Sequence, residues 1–324
     1  MPFFATPYNP KAGLYIGTSI TQGNVTAGYE YVTLVNTYLR THQPLYSYTA
    51  LTNAGQGGST SFYGLARVEN TFAAYAPNVV SLDYGINDLE TDFYACTAEA
   101  LIRRMRTLIP GAMIVFLAFP RVTSHLVNDA TNLNAGLHAR WSALCAAYGV
   151  VFVDYAAYLK SVIDGGATLS DYMGDTVHPT IAGHALAAAY FEQTLQAAYS
   201  ASAMPTLPER TYDCEDFETT PVWRKGTDND GETGTWATSG NARTSSIANS
   251  TITWNWRGVA MGYVKLVTST GSVGIAVDGG AETVHDLSVR NIANDLPTIY
   301  ASGAHTTVFR VISGTVAVEK FISI

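Results

Sequence analysis

The sequence has no long hydrophobic run and no excess of positive charge, and each shortage excludes a class of protein. Its longest apolar stretches, such as MIVFLAF (113–119), are well short of the roughly 20 residues that cross a bilayer, so we expect no membrane insertion. The 18 lysines and arginines are outnumbered by 26 aspartates and glutamates, which gives a net charge of −8. That balance argues against nucleic acid or an anionic membrane surface as the main partner.

Cysteine is also scarce. The three cysteines, Cys96, Cys145 and Cys214, are odd in number and far apart, which fits neither a disulfide scaffold nor a zinc site, and we expect three buried thiols. The first ten residues, MPFFATPYNP, contain no basic stretch followed by an apolar one, so no secretory signal peptide is visible. We therefore expect a soluble protein of unknown location, with an extracellular or virion-associated place left open.

The composition that is present suits a protein with a substantial core, since 47% of its 324 residues are apolar. Within residues 1–200, short apolar runs alternate with amphipathic segments of helical period. The apolar runs lie at 14–16, 78–85, 113–119 and 150–155, and the helical segments lie near 27–40, 97–109, 131–148 and 181–199. This alternation predicts an α/β domain, with a parallel sheet flanked by helices.

The composition changes after residue 200. Residues 201–210 contain two prolines and little apolar periodicity, which indicates a linker. Residues 211–324 are rich in β-branched and aromatic residues separated by glycine-bearing turns, for example TITWNW (251–256) and HTTVFRVIS (305–313). These features predict a separate all-β sandwich.

Two candidate motifs follow predicted strands in the first domain. Ser19 comes directly after the first apolar run, at the edge of the sheet where ligands bind, although serine at such a place also caps helices. NAGQGGST (53–60) lacks the lysine of a P-loop and has Thr60 where a dinucleotide loop needs its third glycine. Its glycines can instead direct backbone N–H groups at a developing negative charge, or form an ordinary turn.

Two further motifs complete the set. In DYGIND (83–88), the carboxamide of Asn87 can donate a hydrogen bond, although Asn-Asp pairs are also common in turns. In GDTVHPT (174–180), Asp175 stands three residues before His178, and Pro179 favours a loop there over a helical metal site. On such a loop Asp175 can bind Nδ1 of His178 and leave Nε2 to take a proton from a hydroxyl. We expect neither a metal nor another cofactor, and we assign the other histidines to surface or core.

In their order along the chain, these four motifs resemble the blocks of the SGNH hydrolases, also called GDSL esterases, over residues 12 to about 195. The resemblance implies a flavodoxin-like three-layer fold and a catalytic triad of Ser19, His178 and Asp175. It also implies an oxyanion hole formed by the N–H groups of Ser19 and Gly58 and the side chain of Asn87, with Gly55 as the alternative glycine. Thr18 departs from the family pattern, which has an aspartate there that orders the first block.

The second domain resembles the galactose-binding-like jelly rolls attached to some carbohydrate esterases, through VGIAVDGG (273–280) and ASGAHTTVFRVISG (301–314). Trp254 and Trp256 share one face of a predicted strand, so both belong to the core or both to a surface that could stack on sugars. The acidic loop TDNDGET (227–233) has its glycine too early for an EF-hand, and a solvated turn is the preferred interpretation.

Together these features predict a serine esterase that removes O-acetyl groups from a polysaccharide or glycoconjugate, with a phage-borne glycan deacetylase as one setting. The second domain would bind carbohydrate or serve assembly. Two alternatives stay open at this point. The first is a lipase or thioesterase acting on short acyl esters, and the second is a binding module whose hydrolase fold has lost activity.

Overall fold

A computed structural model describes residues 11–23, 28, 30–42, 48–89, 91–128, 136–199, 222–266, 268–288, 294–295 and 300–323. The chain divides into two compact units, one built from residues before 213 and the other built almost wholly from residue 213 onward. The predicted linker, 201–210, lies outside the described residues. Within the described ranges, no helix is both long and apolar enough to span a membrane.

The first unit alternates strands and helices. In chain order its elements are β1 (Lys11–Gly17), α1 (Ser19–Gln22), α2 (Tyr31–His42), β2 (Tyr48–Gly55), α3 (Ser61–Tyr75), β3 (Val79–Leu82), α4 (Asp92–Leu108), β4 (Met113–Leu117), α5 (Gly136–Tyr148), β5 (Val151–Val153), α6 (Tyr155–Asp164), α7 (Leu169–Tyr172) and α8 (Ile181–Tyr199). A short 3₁₀ helix, Tyr84–Ile86, follows β3.

The five strands form one parallel sheet in the order β2-β1-β3-β4-β5, flanked by helices, as the sequence predicts. Every residue of β3 and β4 is buried, which is expected for inner strands covered on both faces. Val115 packs into the core cluster on one side of the sheet. Phe116, its neighbour in β4, points to the opposite face and stacks on Trp141 of α5 with ring centroids 4.1 Å apart.

The second unit is made of antiparallel strands, which confirms its all-β class. They are β6 (Val222–Lys225), β7 (Gly231–Thr233), β8 (Ala237–Ser239), β9 (Ala242–Ser245), β10 (Thr251–Gly258), β11 (Met261–Lys265), β12 (Ser272–Val277), β13 (Thr283–Asp286), β14 (Asn294–Asp295), β15 (Gly303–Ser313) and β16 (Val316–Ser323). One sheet has the order β13-β12-β15-β10-β7, and the other has the order β14-β11-β16-β9-β8 with β6 also paired to β16.

The paired tryptophans of β10 belong to the core of this second unit. Trp254 and Trp256 are 0% and 5% exposed, because alternate residues of the strand face inward. Trp254 stacks on Phe321 with ring centroids 5.1 Å apart and meets the edge of Phe309 at 4.9 Å. Of the two readings that the sequence left open, the structure therefore selects the core and not a stacking surface.

The structure bears on two expectations from the sequence, the state of the cysteines and the role of the acidic loop at 227–233. Cys145 is a buried free thiol, but Cys96 is disulfide-bonded, so the prediction of three thiols is wrong at Cys96. Cys214 lies outside the described residues. In the acidic loop, Asp230 pairs with Arg224 and Glu232 pairs with Arg243, so these carboxylates are engaged by arginines.

Candidate active site

The predicted site residues of the first three motifs lie where neighbouring strands end. β1 ends at Gly17, just before Ser19, β2 ends at Gly55, before Gly58, and β3 is followed by the 3₁₀ helix that precedes Asn87. Because β1 lies between β2 and β3 in a parallel sheet, the three strand ends share one edge. This is the edge where α/β sheets bind their ligands.

Ser19 is the first residue of the short helix α1. Thr18 forms the N-cap, with extended backbone angles, and its hydroxyl accepts a hydrogen bond from the N–H of Ile20 at 3.3 Å. Ser and Thr are favoured at this position because their oxygens satisfy an N–H that the helix leaves unpaired. α1 begins directly after this cap, and Ser19 is half-buried.

The fourth motif forms a tight loop before α8. One carboxylate oxygen of Asp175 accepts hydrogen bonds from the backbone N–H groups of Val177 at 2.7 Å and His178 at 2.6 Å. The other oxygen lies 2.8 Å from Nδ1 of His178. Partial burial would raise the pKa of Asp175, but these hydrogen bonds outweigh it and lower the pKa below its ordinary value. The carboxyl group is therefore held ionised beside the imidazole.

The structure brings the first and fourth motifs into contact. Oγ of Ser19 lies 2.8 Å from Nε2 of His178, although the two residues are 159 positions apart in the chain. With Nδ1 directed at the carboxylate of Asp175, Nε2 is the ring nitrogen that faces the hydroxyl. This arrangement can move a proton from the hydroxyl to the imidazole and stabilise the resulting positive charge.

The glycines of the second motif differ in what their N–H groups do. The N–H of Gly55 donates to Oδ1 of Asn53 at 2.9 Å, and that of Gly57 donates to Oε1 of Gln22 at 2.7 Å. Within the described residues, the N–H groups of Gly58 and Ser19 donate no hydrogen bond. Gly58 also has φ of 74°, a left-handed conformation that glycine adopts readily. Of the two candidate glycines, Gly58 is the one whose N–H is open to a ligand.

Asn87 joins the second and third motifs. Its Nδ2 donates to the backbone carbonyl of Ser59 at 3.0 Å, which occupies one of its two amide hydrogens. The adjacent Asp88 is buried and accepts a hydrogen bond from the N–H of Ser61 at 2.8 Å, at the start of α3. These two bonds fix the loop that carries Gly58 against the loop that carries Asn87.

Asp83, a buried carboxylate at this edge, is not among the site residues predicted from the sequence. Asp83 follows β3 directly, is 1% exposed, and accepts hydrogen bonds from the N–H of Thr18 at 2.6 Å and from its hydroxyl at 3.1 Å. Its position directly after a predicted buried strand was the available signal in the sequence. Within the motif DYGIND (83–88), only Asn87 is a candidate site residue predicted from the sequence.

The histidines outside the fourth motif include two with carboxylate partners that are distant in sequence. His138 pairs with Asp154 at 2.5 Å, and His305 of the second unit pairs with Asp278 at 2.6 Å. His184 is buried, and burial lowers its pKa to about 4, so it is neutral and accepts a hydrogen bond from the N–H of Tyr31. Across the described ranges, no three His, Cys, Asp or Glu side chains form a group that could hold a metal ion.

Two known structures resemble nearly the whole chain in fold, and a third resembles part of it. A two-domain esterase (CEX) active on acetylated mannans, co-crystallised with mannopentaose, aligns with a TM-score of 0.82 and 19% identity over 98% of this chain and 91% of that one. A second structure of such an esterase aligns with a TM-score of 0.81, 18% identity, and coverage of 98% and 92%. A protein described as a GDSL-like lipase from Parabacteroides merdae aligns at 0.50 and 19% identity, over 58% of this chain and 98% of that one.

The sequence comparisons address the family directly. No curated protein matches this sequence. Residues 15–186, however, match the GDSL-like Lipase/Acylhydrolase family. That span contains all four motifs and the contact between Ser19 and His178. Because the match covers more than half of the 324 residues, the chain belongs to the GDSL-like lipase/acylhydrolase family.

Proposed function

We propose that the protein is a serine esterase that removes acetyl groups from a polysaccharide or glycoconjugate through an acyl-enzyme. The observation that carries this proposal is the continuous chain of contacts from the hydroxyl of Ser19 through His178 to Asp175. Family membership supplies the reaction class. The substrate class is proposed by analogy with the acetylmannan esterase of similar fold.

In the first step, the oxygen of Ser19 attacks the ester carbonyl and its proton passes to Nε2 of His178. The protonated imidazole then gives this proton to the departing sugar oxygen, which leaves an acetyl group on Ser19. In the second step, water attacks the acetyl carbonyl while His178 takes its proton. Acetate is released when Ser19 recovers a proton from His178.

Three hydrogen-bond donors are proposed to stabilise the oxyanion in both steps. They are the backbone N–H groups of Ser19 and Gly58 and the second amide hydrogen of Asn87. The open N–H groups at Ser19 and Gly58, and the bond that holds Asn87 beside Ser59, support this assignment.

The second unit is proposed to bind the glycan. It has a pocket of about 470 Å³ whose lining includes Arg224, Asn255, Arg257, His305 and Thr306. Arg257 is exposed, and the hydroxyl of Thr306 donates to Oδ1 of Asn255 at 2.8 Å, so donors and acceptors line the pocket. Such groups suit sugar hydroxyls. In a pull-down on insoluble acetylated glycan, we expect Arg257→Ala in the full chain to bind more weakly, while Arg140→Ala in the first unit binds normally.

Activity on model esters and labelling of the nucleophile test the catalytic proposal. We expect p-nitrophenyl acetate to be hydrolysed, and a fluorophosphonate to modify Ser19, with both lost in Ser19→Ala. An unlabelled Ser19 in the wild-type protein would identify an inactive binding module instead. Release of acetate from acetylated mannan or xylan, compared with p-nitrophenyl esters of increasing chain length, separates a glycan esterase from a lipase or thioesterase.

A further inference from the structure

The first motif lacks the aspartate that the family pattern has at position 18, yet a carboxylate reaches the same turn from another strand. The register of the parallel pair β1 and β3 sets Ile16 opposite Leu82, so Gly17 and Asp83 leave their strands side by side. From there the side chain of Asp83 accepts hydrogen bonds from both the N–H and the hydroxyl of Thr18.

The same carboxylate also serves the residues on the other side of Ser19. The hydroxyl and the N–H of Thr21 help stabilise its negative charge. Oγ1 of Thr21 in turn lies 2.8 Å from the hydroxyl of Tyr31 in α2. Asp83, which directly follows β3, is therefore hydrogen-bonded to Thr18 before Ser19 and lies near Thr21 after it.

Gly17 leaves the space that this carboxylate occupies. A Cβ added at Gly17 would lie 1.8 Å from Oδ1 of Asp83 and 2.8 Å from Oγ1 of Thr21. No side chain larger than hydrogen could share that position. The absence of a side chain at Gly17 therefore makes room for the carboxylate of Asp83.

Holding a turn with a buried charge costs free energy, because the charged group loses its hydration. Burial of Asp83 raises the pKa of its carboxyl group to about 6, even though the hydrogen bonds from Thr18 and Thr21 oppose that rise. A neutral asparagine would fill the same volume without the cost of desolvating a charge. The desolvation cost therefore favours a functional role for an aspartate here, beside its two hydrogen bonds to Thr18.

We propose that Asp83 is a positioning residue which replaces the missing aspartate of the first motif and holds the Ser19 turn in the reactive orientation. The inference rests on the proposed role of Ser19 as nucleophile. It assigns to a residue after β3 the task that the family pattern places directly before the serine.

The first experiment compares Asp83→Asn with Asp154→Asn, an aspartate that follows β5 in the same sheet and caps α6. We expect Asp83→Asn to lower kcat on p-nitrophenyl acetate by about 10²-fold with KM within about twofold, as misplacement of a reacting group does. Fluorophosphonate labelling of Ser19 should slow in parallel, while the melting temperature at pH 8 stays equal or rises. Asp154→Asn should lose some stability, because it weakens the pair with His138, but keep its kcat.

The second experiment exchanges the two positions. Asp83→Thr alone should be strongly impaired, and the double variant Thr18→Asp with Asp83→Thr should recover at least tenfold in kcat, because one carboxylate is again available at the turn. Wild-type kcat in Asp83→Asn, or no recovery in the double variant, would overturn the inference. Should Asp83→Asn fail to fold, the double variant decides alone. Loss of labelling at Ser19 in the wild-type protein would instead overturn the proposed function.

Discussion

The carboxamide of Asn87 donates a hydrogen bond to the backbone carbonyl of Ser59 at 3.0 Å, which joins the loop after β3 to the loop after β2. The bond uses one of the two amide hydrogens of Asn87. Since Gly58 precedes Ser59, the same bond places two proposed oxyanion donors in adjoining loops.

We expect Asn87→Ala to lower kcat on p-nitrophenyl acetate by about 10²- to 10³-fold, because one oxyanion donor is lost. The lost bond to Ser59 should cost only about 1 kcal/mol of unfolding free energy, so the variant stays folded. The control is Asn229→Ala, which removes a carboxamide that donates to the carbonyl of Gly226 in the second unit. A near-normal kcat in Asn87→Ala would remove Asn87 from the site.

Asp175→Ala should be less damaging than Ser19→Ala, because Asp175 orients His178 and does not itself react. The loss should appear mainly in kcat, measured on p-nitrophenyl acetate, with little change in KM. Equal residual rates in the two variants would show instead that His178 needs the carboxylate in order to act at all.

His305 should make the stability of the second unit depend on pH. Its Nδ1 lies 2.6 Å from Oδ2 of Asp278 and its Nε2 lies 2.8 Å from the carbonyl of Ala301, so both ring nitrogens face acceptors. Burial alone would lower the pKa of His305, but these hydrogen bonds together outweigh it and raise the pKa. The imidazolium is therefore stabilised by folding.

For a group whose folded pKa is raised, the added stability is complete below the unfolded value, about 6.5 for histidine, and is lost as the pH rises through the folded value. We expect the unfolding midpoint, followed by tryptophan fluorescence, to decrease as the pH is raised from about 6 to about 8. This decrease of the midpoint with pH should be smaller in Asp278→Asn. The substitution should not strain the backbone, because asparagine tolerates the positive φ of 53° at that position. An unchanged slope would contradict the role of this pair.

Trp254→Ala should destabilise the second unit by about 3–5 kcal/mol, because it removes a fully buried indole and leaves a cavity. Trp236→Ala should cost less, since Trp236 is only partly buried and packs at the margin of the same core. Urea unfolding followed by circular dichroism measures both. Full stability in Trp254→Ala would contradict its place in the core.

Much of the fold followed from local pattern. The helices predicted near 27–40, 97–109, 131–148 and 181–199 correspond to α2, α4, α5 and α8, with starts displaced by up to five residues. Helix α3 was not predicted, because residues 61–66 are all buried and show no polar face to give an amphipathic period. The order of the four motifs along the chain is likewise visible in the sequence alone.

By itself, the sequence determined the alternation of strands and helices, the change to β structure after residue 200, and the residue types available for acyl transfer. Only the tertiary structure decided that Gly58 rather than Gly55 has an open N–H, that Asp83 supplies a carboxylate to Thr18, and that Trp254 is core. The physical reason is the distance along the chain over which the interactions act. Helical and strand periods are set by neighbouring residues, whereas these contacts depend on β1 lying between β2 and β3, an order fixed by the packing of the whole sheet.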